Sequence, residues 1–83
     1  MIGEEFMLTE LVEQIVKKLV DKPESVSVKE TNQENGTLIS LRVAQEDLGK
    51  VIGKEGRTAR SLRMLVQAAS AKQNKRASLE ILE

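Results

Sequence analysis

The spacing of the apolar residues switches between helical and alternating along this chain, and that order limits the folds it can adopt. From position 8 to 19 they recur every three or four residues, as on one face of a helix that Pro23 brings to an end. Alternation follows at Val26 and Val28 and again over 39–43, which predicts two half-buried strands. A helix and then two strands are therefore expected in the first half of the chain.

Asn35 and Gly36 separate the two predicted strands, and this dipeptide is the strongest short signal for a two-residue hairpin turn. A turn centred on it pairs Val28 with Val43, which places both valines on one face of the sheet. Turn chemistry and hydrophobic pattern thus predict the same register.

Helical spacing returns in the second half of the chain. Glu46 and Asp47 suit the first turn of a short helix that ends near Val51, because acids there complement the helix dipole. A longer helix is predicted over 57–73, with Asn74 as its stop. Its buried face is predicted to consist of Ala59, Leu62, Leu65, Val66 and Ala69.

Alternation over 77–82 predicts a third strand, so the complete order is α-β-β-α-α-β. This order predicts an α+β fold in which the helices pack on one face of a three-stranded sheet. A chain of 83 residues is too short for a second core, and a surface groove is expected instead of a deep cavity. Residues 1–7 precede the pattern and are predicted to be an N-terminal extension of a domain spanning 8–83.

The chain contains neither cysteine nor histidine. Without cysteine it can form no disulfide and no thiolate metal site. Without histidine it lacks the usual ligand of most metal sites and the usual residue of most general acid, general base and nucleophile-activation mechanisms. We therefore expect no metal, no cofactor and no enzymatic activity. No apolar run approaches the length of a membrane span, so a cytoplasmic protein is expected.

The formal net charge is zero, but the charges are unevenly distributed. Residues 1–47 carry 5 positive and 10 negative side chains, whereas residues 48–76 carry 8 positive side chains and 1 negative. Residues 77–83 add 2 negative ones, which closes the balance. A basic segment of this kind is typical of a phosphate-binding surface, although a solvated basic helix has the same composition.

Two glycines three positions apart, Gly53 and Gly56, lie where the two predicted helices meet. Neither presents a side chain, so a sugar-phosphate backbone can approach the main chain closely, and N–H groups at a helix start can receive phosphate oxygens. Lys54 adds a positive charge to the loop. A tight helix-helix turn explains the same glycines without any ligand.

The residues around the loop favour the ligand-binding interpretation over a plain helix-helix turn. The stretch from Val51 to Arg57, VIGKEGR, resembles the signature of KH domains, in which two aliphatic residues precede a GxxG loop and a helix follows it. The element order resembles the prokaryotic, type II, KH arrangement, and the run GKEGRTAR is similar to the KhpA family of small bacterial KH proteins. The resemblance implies binding of single-stranded RNA, a chaperone-like or regulatory role, a homodimer, and a heterodimer with a KhpB/Jag-type KH protein.

The same resemblance implies roles for individual residues, and each also has a plainer explanation. The loop would clamp the backbone of about four nucleotides, while apolar side chains contact bases and the strand at 41–43 offers main-chain groups to base edges. Many KH domains have a large aliphatic residue where this chain has Ala59. For Val51 and Leu62 the alternative is core packing, for the basic residues it is solvation, and Arg63 is expected to point elsewhere. The implied RNA-binding residues are Gly53, Lys54, Glu55, Gly56, Arg57, Arg60, Ile52 and Lys50.

Two other functions remain open. The fold could serve as a protein-interaction module of a KH heterodimer, using small residues of the last helix. It could also belong to a ribosome-assembly factor, although KH-like factors of that kind interrupt the loop and lack GxxG. No acid lies beside a base or nucleophile in an arrangement that would favour an enzyme.

Overall fold

The computed structural model describes residues 8–82. The predicted order α-β-β-α-α-β is confirmed, while the predicted N-terminal extension, residues 1–7, lies outside the described residues. Short 3₁₀ turns occupy Pro23–Ser25, Gln45–Asp47 and Lys54–Gly56. The helices and strands are α1 (Leu8–Leu19), β1 (Ser27–Gln33), β2 (Gly36–Arg42), α2 (Leu48–Ile52), α3 (Arg57–Lys72) and β3 (Ala77–Leu82).

The three strands form one sheet in the order β1-β2-β3. β1 runs antiparallel to β2, and β3 runs parallel to β2 because α2 and α3 carry the chain back across the sheet. Ile39 and Leu41 of β2 and Leu79 of β3 are buried under the helices, which confirms that the helices pack on one face. Within residues 8–82, no helix is both long and apolar enough to cross a bilayer.

The hairpin register differs from the prediction by two residues. Val28 pairs with Leu41 and not with Val43, so the turn residues are Glu34 and Asn35, and Gly36 is already the first residue of β2. Neither turn residue has the positive φ that a type I′ turn requires. Gly36 does have a positive φ, and a β-carbon there would overlap the carbonyl oxygen of Arg76. The glycine is thus needed for contact with β3, which strand-pair reasoning on the hairpin alone could not reveal.

The C-terminal half follows the prediction with one exception. Ala59, Leu62 and Val66 of α3 are buried, but Leu65 is 39% exposed, so its assignment to the buried face is wrong. Asn74 has a φ of 57° and ends the helix as expected. The N–H of the residue after it, Lys75, donates to the carbonyl of Ser70 over 2.9 Å, which caps the last turn.

Deleting residues 77–83 should unfold the domain. Ala77 and Leu79 are buried, and without β3 the sheet is reduced to a hairpin that is marginal alone in water. Each fully buried aliphatic side chain contributes roughly 1.5–3 kcal/mol, a large share of the ~5–15 kcal/mol of a typical domain. Thermal melting followed by circular dichroism checks this, and a cooperative transition near that of the full chain would contradict the assigned role of β3.

Candidate nucleic-acid interface

The position of α2 is fixed by a buried carboxylate just before it. Asp47 is 1% exposed, and its Oδ1 and Oδ2 accept the N–H groups of Asp21 and Lys22 over 3.1 Å and 2.9 Å. These N–H groups belong to the segment that follows α1, where the chain has left the helix and the carbonyls four residues earlier no longer serve as acceptors. The start of α2 is thereby tied to the end of α1.

A second polar contact beside Asp47 lies at the surface. The ammonium of Lys22 donates to Oε2 of Glu46, and this hydrogen bond raises the pKa of Lys22 and lowers the pKa of Glu46. The pair therefore favours the fold at pH values between the lowered carboxyl pKa and the raised ammonium pKa, and loses effect outside that window. Both groups are exposed, so the contribution is small.

The loop between α2 and α3 has an unusual main chain. Gly53 (φ 78°), Glu55 (φ 58°) and Gly56 (φ 74°) all adopt positive φ. The N–H groups of Gly56 and Arg57 turn back onto the carbonyls of Gly53 and Lys54. In the described part of the chain, the N–H groups of Lys54 and Glu55 have no main-chain acceptor, so they are available to an anionic ligand.

The two glycines of the loop serve different purposes. A β-carbon on Gly53 would overlap Oγ1 of Thr58 and lie 2.7 Å from its Cβ, so packing inside the loop excludes a side chain there. A β-carbon on Gly56 would have no heavy atom within 4 Å. Gly56 therefore leaves open space above the main chain, which is where a ligand backbone can approach.

The charged side chains of the loop point to solvent. Lys54 makes no ion pair with a described residue, whereas Oε1 of Glu55 lies 3.6 Å from Nη2 of Arg57. The acid therefore offsets part of the Arg57 charge and leaves Lys54 as the loop's uncompensated cation. Over residues 8–82 no group of acids is placed to hold a metal ion.

A groove of about 240 Å³ opens beside the loop. Its apolar lining comes from the exposed sides of α2, α3 and β3, and two of the predicted site residues lie in it, Gly56 and Ile52, which is 38% exposed. The lining residues are Leu48, Ile52, Gly56, Ala59, Arg63 and Ile81.

Two residues considered for base contact lie in the core. Val51 is fully buried and Leu62 is 4% exposed, so the structure favours the core-packing alternative for both. The groove uses Leu48 and Ile81 in their place, which sequence reasoning missed. The four-residue interval from Leu48 to Ile52 was the available signal, because it puts both side chains on one side of a helix.

The arginines of α3 also differ from expectation. Arg63 lines the groove, although it was expected to point elsewhere. It follows Ala59 by four residues and so shares its face, whereas Arg60 is turned about 100° from Ala59. Arg60 is exposed without an ion pair to a described residue and flanks the groove on α3, and Arg57 lies beside the loop.

Lys50 is placed away from the groove. It lies about 180° around α2 from the side that carries Leu48 and Ile52. Its Nζ is 3.1 Å from Oδ2 of Asp21 and 3.9 Å from Oδ1 of Asp47, so two acids offset its charge.

The strand beside the groove is β3 and not β2. β2 pairs with β1 on one side and with β3 on the other, so the prediction that residues 41–43 offer main-chain groups to base edges is wrong for Leu41 and Arg42. β3 is an edge strand, and within the described residues its second edge is unpaired. The strand order could not be read from the local sequence pattern.

Comparison with known proteins finds a matching family model and several similar proteins. The family model described as "KhpA/KhpB, KH domain" matches residues 9–81. RNA-binding protein KhpA of Clostridium perfringens is 51% identical over 75 residues, which cover 90% of this chain and all of that protein. The proteins of the same name from Borreliella burgdorferi and Chlamydia trachomatis are 50% and 46% identical, over 89% and 92% of this chain and 90% and 97% of their own lengths.

Among solved structures, Aquifex aeolicus Era bound to GDP and AlF4⁻ superposes with a TM-score of 0.61 at 19% identity. The match covers 89% of this chain but 29% of that one, so it concerns one part of a larger protein. At this identity the likeness supports the fold alone.

The two loop glycines should respond differently to alanine. Gly56→Ala introduces only the left-handed backbone cost of about 1–2 kcal/mol, whereas Gly53→Ala should cost more, because its backbone (φ 78°, ψ 174°) lies in a region essentially limited to glycine and its β-carbon would overlap Thr58. Since about 1 kcal/mol shifts the Tm of a domain this size by roughly 4–8 °C, calorimetry can resolve the difference. Equal losses of Tm would contradict the packing role of Gly53.

Proposed function

This chain belongs to the KhpA/KhpB family of KH-domain proteins, and from that premise we propose that it grips single-stranded RNA at the loop Gly53–Gly56 and the groove beside it. The observation that carries the proposal is the pairing of an open main chain at Gly56 with an uncompensated cation at Lys54. The relatives are named RNA-binding proteins, which supports the choice of ligand. We propose no catalytic activity for it.

The loop acts on the sugar-phosphate backbone. The main-chain N–H groups of Lys54 and Glu55 donate to phosphate oxygens, and the Lys54 ammonium adds attraction that does not depend on sequence. Glu55 turns its carboxylate toward Arg57 and solvent, so its main chain can bind phosphate without a carboxylate facing it. A KH groove of this kind holds about four nucleotides.

The groove receives the bases. Ile52, Ala59 and Ile81 form its apolar surface, and the free edge of β3 offers main-chain groups to base edges. Arg60 and Arg63 contact phosphates along α3, whereas Lys50 can do so only by leaving Asp21. The sequence has no tyrosine or tryptophan and one phenylalanine, Phe6, so affinity does not come from stacked aromatic rings.

A weak grip favours pairing with a second RNA-binding surface. On α3, a face turned away from the groove exposes Met64 and Leu65, which are 62% and 39% exposed, beside Ala68 and Ala71. Small residues permit close approach of a second helix. We assign this face to self-association and to pairing with a KhpB/Jag-type KH protein, with an RNA chaperone-like or regulatory role in the cytoplasm.

The second candidate function is a protein-interaction module without RNA binding, and the exposed apolar face of α3 is the observation that favours it. The two candidates differ in a mobility assay with pooled cellular RNA. Retarded RNA supports the first candidate, and a partner complex that retards none supports the second.

Replacing Lys54 and Glu55 together by aspartate should abolish measurable RNA binding in that assay. Aspartate tolerates the left-handed conformation at position 55 at least as well as glutamate, so the fold should survive. Lys29→Asp with Glu30→Asp makes the same charge change on exposed residues of β1 and should bind as the unchanged protein does. Unchanged affinity of the loop variant, with an intact circular dichroism spectrum, would show that the loop is not the grip.

Salt dependence tests the arginines separately. Each phosphate contact with single-stranded RNA contributes roughly 0.7 to the slope of log affinity against log salt concentration. Arg60→Ala and Arg63→Ala should each reduce the slope by about that amount, and Arg57→Ala by less because Glu55 already offsets its charge. A slope near zero for the unchanged protein would mean that phosphate attraction does not drive binding.

A further inference from the structure

We propose that Lys75 and Arg76, just before β3, form a second phosphate contact that extends the RNA footprint beyond the groove along the free edge of β3. The inference rests on the proposed RNA-binding function and adds a site to it. The observations that carry it are two adjacent exposed cations without an ion pair to a described residue, a recess beside them, and their position just before the strand that lines the groove.

Among the described residues, neither of the two cations has an acidic partner within ion-pair distance. Four other described cations are ion-paired, namely Lys17, Lys22, Lys50 and Arg57. Lys75 and Arg76 make no ion pair with a residue in the range 8–82, and both are exposed. Two adjacent free cations attract phosphate without first breaking an internal contact.

A recess of about 150 Å³ adjoins Arg76 at the tip of the sheet. Its lining includes four residues with amide or hydroxyl side chains, namely Gln33, Asn35, Thr37 and Ser78. The main chain of Arg76 is held there, because its carbonyl accepts the N–H of Thr37 over 2.8 Å and Gly36 packs against it. The cation thus starts from a fixed point beside groups that can hydrogen-bond to base edges or phosphate.

The recess and the groove lie at opposite ends of the same strand. Ile81 lines the groove and Arg76 lines the recess, five residues apart, which is about 17 Å along β3. This length corresponds to about five nucleotides at the ~3.4 Å spacing of stacked bases, and to fewer when the strand is extended. Side chains alternate along a strand, so Arg76 and Ile81 face opposite sides of the sheet, and an RNA strand that leaves the groove reaches Arg76 by crossing the free edge of β3.

The acids near this path do not block it. Glu80 lies between the two sites, but its Oε1 accepts from the hydroxyl of Ser40 over 3.4 Å, which places its carboxylate over β2 and away from the free edge. Glu30 and Glu34 line a second recess on the hairpin side together with Lys75 and Arg76, without forming an ion pair to either cation. They offset part of the attraction of the two cations and repel phosphate from the hairpin side, so an RNA strand approaches Lys75 and Arg76 from the β3 side.

A polymer suits this site better than a free small anion. The recess is open to solvent, and Lys75 and Arg76 are exposed, so each contact with an isolated anion is weak. A strand already held by the groove is present at the recess at a high effective concentration, and the same weak contacts then add to affinity.

The test compares mixed-sequence RNA of 5 and 12 nucleotides in fluorescence anisotropy. Lys75→Gln with Arg76→Gln should leave 5-mer affinity unchanged, lower 12-mer affinity about fivefold to thirtyfold, and reduce the 12-mer salt slope by about 1.4. The control, Lys18→Gln with Lys29→Gln, removes the same charge from two other exposed cations without ion pairs and should leave both affinities unchanged. Melting curves verify that both variants are folded.

The outcomes separate this inference from the function on which it rests. If the unchanged protein binds neither RNA, both fail. If it binds the 5-mer and the variant binds the 12-mer as tightly as the unchanged protein, or loses affinity for both lengths equally, only the second site fails. Amide chemical shifts of Arg76 and Ser78 give an independent readout, and they should move with the 12-mer and stay fixed with the 5-mer.

Discussion

Asp47 is almost completely buried, and both of its carboxylate oxygens accept main-chain N–H groups just beyond the end of α1. A buried charge persists only when its hydrogen bonds are satisfied, and no buried side-chain nitrogen or oxygen in residues 8–82 lacks a partner. The N–H groups of Asp21 and Lys22 need acceptors because α1 has ended. One contact across 25 or 26 residues of sequence therefore satisfies both segments and ties them together.

The geometry of the candidate site depends on these hydrogen bonds of Asp47. α2 has five residues, too few for a helix to persist without tertiary contacts, so Asp47 at its start and the buried Val51 determine where it lies. Gly53 follows directly, and its contact with Thr58 sets the angle at which α3 leaves the loop. The open side of Gly56 and the groove beside Ile52 are thus consequences of packing on the opposite side of α2.

The sequence predicted the helices, the strands and the position of the glycine loop better than it predicted which residues contact one another in the fold. Periodicity sufficed for α1, α3 and β3, and the glycine pair located the loop, because these signals act over a few residues. The predicted hairpin register was wrong because Gly36 is required by its close contact with Arg76, forty residues away in the sequence, and not by the hairpin turn. The prediction that Leu65 is buried was wrong because the stripe of apolar residues on α3 is wider than the face of α3 that packs against the core. Arg63 and Ile81 were missed because the groove is assembled from three separate elements.

A groove of about 240 Å³ without aromatic residues cannot supply high affinity for a few nucleotides, so tight binding must come from additional contacts. The fold offers two directions for them. The face of α3 with Met64 and Leu65 would add a second protein copy, whose benefit rises with protein concentration. The edge of β3 with Lys75 and Arg76 would add nucleotides of the same strand, whose benefit rises with RNA length and falls with salt. Since the two surfaces lie on different elements, neither excludes the other, and the two dependences can be measured separately on one protein.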